Sequence, residues 1–112
     1  MLTEKGSFLY GVEVNGIWHK DFEMRLPTLE DVECALESAQ AEAEAGAEVS
    51  PARISRYKWA ACLIRLGDLD ATAITPELLA RLASTEYGVL SSAEESLLKK
   101  LAAASAQSAP SA

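Results

Sequence analysis

Between Ser50 and Gly67 the chain reads SPARISRYKWAACLIRLG, and this stretch constrains the fold more than any other. Ser50 carries a side-chain oxygen suited to capping a helix. Pro51 has the backbone angle of a first helical residue, and Gly67 can take the left-handed conformation that closes one. The spacing predicts a helix over 51–66. From Trp59 to Leu66 only Arg65 is polar, so apolar groups point almost all round the axis, and such a helix needs neighbours on more than one side. The stretch is too short, and too often interrupted by Arg53, Arg56, Lys58 and Arg65, to span a bilayer. It reads as the central helix of a small α+β domain.

Upstream, residues 6–26 read as a β-hairpin around Asn15-Gly16, a strong tight-turn signal. Side chains alternate faces along a strand, so Phe8, Tyr10, Val12 and Val14 share one face of the first strand. Trp18, Phe22, Met24 and Leu26 share one face of the second. A two-residue turn would set these groups on opposite faces. A three-residue loop with Gly16 in a bulge sets Val12 opposite Trp18 and Phe8 opposite Phe22, and that form is expected. His19, Asp21, Glu23 and Arg25 then fall on a solvated face.

The remaining elements are helical. Pro27 ends the hairpin, Thr28 caps, and Asp31 three residues on suits a reciprocal capping arrangement. Leu29, Val32, Leu36, Ala39 and Ala43 recur at helical spacing, predicting a helix over about 29–45 whose low-complexity end, AEAEAGAEVS, frays. Thr75-Pro76 repeats the cap-plus-proline start for a helix over 76–83 with Leu78, Leu79 and Leu82 inward. A last helix over 85–104 carries Leu90, Ala93, Leu97 and Leu101 as a stripe, with Gly88 weakening its start. Residues 105–112 contain nothing large to bury and are expected to be a disordered tail. One domain over 1–104, a hairpin packed on about four helices, accounts for the whole pattern.

Charge and composition narrow the function. Of 112 residues 17 are acidic and 10 basic, giving a formal net charge of −7, which disfavours a nucleic-acid partner, whose phosphates need clustered Lys and Arg. No apolar run reaches membrane-spanning length and no signal-like leader opens the chain, so a cytoplasmic protein without a membrane partner is expected. The basic and acidic residues segregate: Glu30, Asp31, Glu33, Glu37, Glu42 and Glu44 lie on the first helix, and Arg53, Arg56, Lys58 and Arg65 on the next. Opposite charge favours antiparallel pairing of the two. Cys34 and Cys62 are single and lie among apolar positions, as buried thiols do. The lone His19 has no Ser or Cys placed for it to activate and no second ligand beside it. No catalytic residue, metal site or cofactor is expected, and a protein partner is. Its candidate contacts are Trp18 beside the turn and Leu90, Leu97 and Leu101 on the last helix, since a terminal helix can be gripped in a partner's groove.

The order of these cues resembles the small tail assembly chaperones of Mu-like phages and prophages. The resemblance covers residues 6–101. It rests on Arg25-Leu26-Pro27 ending a charged strand, an acidic helix, Arg65-Leu66-Gly67 ahead of Thr75-Pro76-Glu77-Leu78-Leu79, and the acid-plus-aromatic pair Glu86-Tyr87. The family tends to carry Asp at the first position of that pair, where this chain has Glu86. The resemblance implies a non-enzymatic protein of the host cytoplasm that binds the long helical tape-measure protein, helps recruit the tail tube protein and is absent from the mature virion. The rival expectation is a small tail-completion or connector subunit retained in the particle.

Overall fold

The computed structural model describes residues 2–43 and 46–107. Strands β1 (Thr3–Val14) and β2 (Ile17–Arg25) form the expected hairpin, followed by helices α1 (Leu29–Glu42) and α2 (Pro51–Cys62). Two short strands, β3 (Leu63–Leu66) and β4 (Leu69–Asp70), come next, then a 3₁₀ turn (Ala71–Ala73), the short helix α3 (Pro76–Leu79) and the long helix α4 (Glu86–Gln107). The strands make one antiparallel sheet in the order β1-β2-β3-β4. The fold is thus α+β with an N-terminal hairpin packed on helices.

The central helix departs from expectation. Its start is as expected, with the Ser50 side chain accepting the Arg53 N–H at 3.2 Å, but it ends at Cys62, and Leu63–Leu66 continues as a strand. Phe22 pairs with Leu66 and Met24 with Leu63. Leu63 and Leu66 are buried while Arg65 is exposed, so a short apolar run that reads as helix serves equally as a strand covered on one face. Gly67 does take a positive φ, +57°, but it does so in the β3–β4 turn, where Arg65 pairs with Asp70 and Leu66 with Leu69. That turn lies against β2: the Gly67 N–H donates to the Asp21 carbonyl at 2.6 Å.

The hairpin also closes differently. Asn15 and Gly16 both have positive φ, 53° and 79°, in a two-residue turn that pairs Val14 with Ile17, Glu13 with Trp18 and Val12 with His19. The correction of facing expected from a three-residue loop comes instead from mid-strand. Between the pairs Val12–His19 and Ser7–Asp21, residues Phe8–Gly11 stand opposite Lys20 alone. This wide bulge carries an odd surplus of residues and so reverses the sidedness of β1. Phe8 and Val12 are buried and Tyr10 is exposed. Phe8 still meets Phe22, ring centroids 4.7 Å apart.

His19, expected on the wet face, is 5% exposed, because the β3–β4 turn lies on it. A Cβ at Gly67 would come within 2.3 Å of the His19 ring, so only glycine lets that turn approach. Helix α1 is the second surprise. Ala35 and Ala39 are its buried residues, so of the residues recurring at helical spacing Ala39 is inside while Leu29, Val32 and Leu36 are exposed. Cys34, expected inside, is exposed, and Cys62 is buried. The helix ends at Glu42 rather than 45; the fraying expected of that end falls partly on residues 44 and 45, outside the described residues.

α3 stops at Leu79, short of 83, with Leu78 and Leu79 inward and Leu82 half-buried. α4 starts at Glu86 and runs on to Gln107, so residues 105–107, expected in the tail, are helical. The rest of the expected tail, 108–112, lies outside the described residues. α4 runs antiparallel to β1: Glu86 meets the backbone of Leu9 to Gly11, and Lys100 donates to the Thr3 carbonyl at 2.7 Å. The core lies between the inner face of the sheet and α2, α3 and α4, around Phe22, Met24, Trp59, Leu63, Leu90 and Leu97.

Candidate functional site

The ionisable groups of the interior are held by the protein itself. The fully buried Glu86 carboxylate accepts three backbone N–H bonds, from Leu9, Tyr10 and Gly11, each 2.9 Å long. These donors are freed from the β ladder by the bulge, and one carboxylate satisfies all three. Burial pushes the Glu86 pKa up, but the three N–H bonds outweigh it and hold the group below the ordinary glutamate value. His19 Nδ1 accepts the Asp68 N–H at 3.3 Å. Burial pushes the Cys62 thiol up to about 12, which keeps it protonated and inert.

A second knot joins the hairpin to both central helices. Arg25 forks onto Asp31 at 2.7 and 2.9 Å and also donates to the Ala61 carbonyl at 3.1 Å. Asp31 closes the expected capping arrangement by accepting the Thr28 N–H at 2.8 Å. The Arg25 guanidinium holds the Asp31 carboxyl far below the usual range. At the other end of α1, Glu42 receives Tyr57 and pairs with Arg56 at 3.4 Å. With Asp31 beside Cys62 and Glu42 beside Tyr57, α1 and α2 are antiparallel, in keeping with their opposite charges. Among the described residues no group of three or more His, Cys, Asp or Glu is placed to hold a metal ion. None of the described helices is long and apolar enough to cross a membrane.

What remains open is surface. A groove of about 360 Å³ between α2 and the segment from α3 to α4 has Leu79, Leu82 and Leu90 in its walls, Trp59 and Tyr87 packed edge to face, and Arg53 and Arg56 at its rim. A shallower hollow of about 340 Å³ between α1 and α2 is lined by Cys34, Ser38, Tyr57 and Ile74. Among the described residues large apolar side chains also stand in solvent at the β1 bulge, where Leu9 is 58% and Tyr10 60% exposed, and at three further places. Ile17 and Trp18 project from the hairpin tip, with Trp18 59% exposed. On α4, Leu98 is 51% and Leu101 40% exposed. On α1, Leu29 is 82% exposed, Val32 40% and Leu36 39%.

Of the four contact residues expected from the sequence, the structure leaves two outside. Trp18 and Leu101 are exposed, but Leu90 and Leu97 are buried in the core against the sheet. The inward turns of the α4 stripe are core and only its last turn is free. The residues that sequence reasoning missed are Leu29, Val32 and Leu36. The signal is there in mixed form: α1 carries two apolar lines, one of alanines and one of larger residues, and the small one docks because it lets the helices approach closely. No family model, curated protein or solved structure matches this chain.

Proposed function

We propose that this protein is a tail assembly chaperone of a Mu-like phage or prophage, binding the tape-measure protein in the host cytoplasm before the tail is complete. The observation that carries the proposal is the set of large apolar side chains standing in solvent on α1, the hairpin tip and the end of α4. Unpartnered apolar surface on a small folded domain marks a site of protein contact. The net charge of −7 keeps such a domain, and a complex it forms, dispersed. The resemblance of residues 6–101 to that chaperone family supplies the partner. The Glu86-Tyr87 pair is integral to the fold, since Glu86 anchors the β1 bulge and Tyr87 packs on Trp59.

Co-expression with a fragment of a tape-measure protein tests the proposal. The fragment is expected to move from the insoluble to the soluble fraction and to co-purify with this protein. Equal insolubility with and without it would contradict the proposal. Mass spectrometry of purified virions supplies a second check: the protein is expected to be absent, and its presence would make it a structural subunit instead.

A further inference from the structure

We infer that the outer face of α1 is the seat for an amphipathic helix of the partner whose apolar seam is flanked by Lys or Arg. The inference rests on the partner-binding proposal above and adds the face and the chemistry of what it holds. At about 100° per residue, Leu29, Val32 and Leu36 align on one side of α1, about a quarter turn from the Ala35–Ala39 line that docks on the domain. Glu30, Glu33 and Glu37 fall on the far side of that apolar stripe, and all three are exposed. α1 carries no Lys or Arg at all. An incoming helix laid along the stripe therefore meets leucine and valine at its centre and carboxylates along its outer border. A helix-in-groove contact of this kind reads anchors at i, i+3 and i+7, the spacing of Leu29, Val32 and Leu36.

Charge decides between occupants. A second copy pairing α1 antiparallel with α1 would set two rows of glutamates together, and like charges across an interface are costly. The basic residues of α2 are not free to serve, because Arg53 and Arg56 already face Glu42, Arg56 also donates to the Pro76 carbonyl, and Lys58 pairs with Glu94 at 2.9 Å. A separate helix with basic flanks meets neither obstacle.

The test uses the full chain and two synthetic amphipathic helical peptides of one leucine seam, one flanked by Lys and one by Glu, titrated by fluorescence anisotropy. The Lys peptide is expected to bind at least about tenfold more tightly than the Glu peptide, and its affinity is expected to fall as salt is raised. The double variant Val32→Ser with Leu36→Ser, at exposed positions, is expected to keep its circular dichroism and lose at least about tenfold in affinity. The charge reversal E33K/E37K is expected to shift preference to the Glu peptide. Equal binding of both peptides, or undiminished binding by the Ser variant, would overturn the inference. Sedimentation showing a dimer that the Ser variant abolishes would also overturn it, by giving the face to a second copy. If the Ser variant keeps the tape-measure fragment soluble as well as the wild type does, the chaperone proposal stands and the α1 face falls. If wild type fails with that fragment yet shows the peptide pattern, the face stands and the chaperone proposal falls.

Discussion

Glu86 shows how one side chain can decide a local fold. Its carboxylate takes the three N–H groups that the β1 bulge leaves over, and without it they would be stranded against α4. Glu86→Ala is expected to cost about 2–4 kcal/mol in urea unfolding, since unsatisfied buried donors are expensive. Loss of under about 0.5 kcal/mol would mean that water serves the bulge equally well. Glu86 and Asp31 both have folded-state pKa values below their ordinary ones. The stability they add is therefore present above the ordinary carboxylate range and is lost as pH falls through their folded values. The urea midpoint is expected to drop steadily from about pH 5 downward, and less steeply in Glu86→Ala. The two thiols should separate as cleanly. Iodoacetamide on native protein is expected to label Cys34 and spare Cys62, with mass spectrometry showing a second adduct only in denaturant. The role of Glu86 is not legible in the sequence, where it enters only as part of a resemblance, because its anchoring depends on a bulge that strand parity cannot place.

The helix starts are legible because caps are local. Thr28, Ser50 and Thr75 all cap as expected. Helix ends are less so. WAACLIRL carries no signal separating the last helical turn from a buried strand, and only the partner strand β2 resolves it at Cys62–Leu63. The hairpin is legible in existence and turn residues, but its register is decided by Gly11. There φ is +83°, and a Cβ would come 2.1 Å from the His19 carbonyl oxygen. Gly11→Ala therefore presses backbone on backbone in a conformation L residues avoid, and it is expected to cost more than about 3 kcal/mol. Gly88 is the opposite case, helical and in open space. Gly88→Ala is expected to stabilise by about 0.5–1 kcal/mol in urea unfolding, and a destabilisation would mean that the close approach matters there too.

Across the molecule, the division of labour between core and surface is the main result. Sheet and helices close over Leu90 and Leu97, so the leucines that look most like a grip are structural. Of the apolar groups left over, Leu29, Val32 and Leu36 sit on an acidic helix held to the domain by its two buried alanines, Ala35 and Ala39. Charge segregation between α1 and α2 is readable from the sequence, whereas which line of α1 faces inward depends on how closely two helices can approach. The most direct measurement is a methyl NMR comparison of the protein alone and mixed with a tape-measure fragment. The methyl signals of Leu29, Val32 and Leu36 are expected to shift while those of Leu90 and Leu97 stay in place, because the proposed contact covers α1 and leaves the core closed. Shifts concentrated at Leu90 and Leu97, with the α1 methyls unmoved, would contradict that expectation and mean that the domain opens to hold its partner.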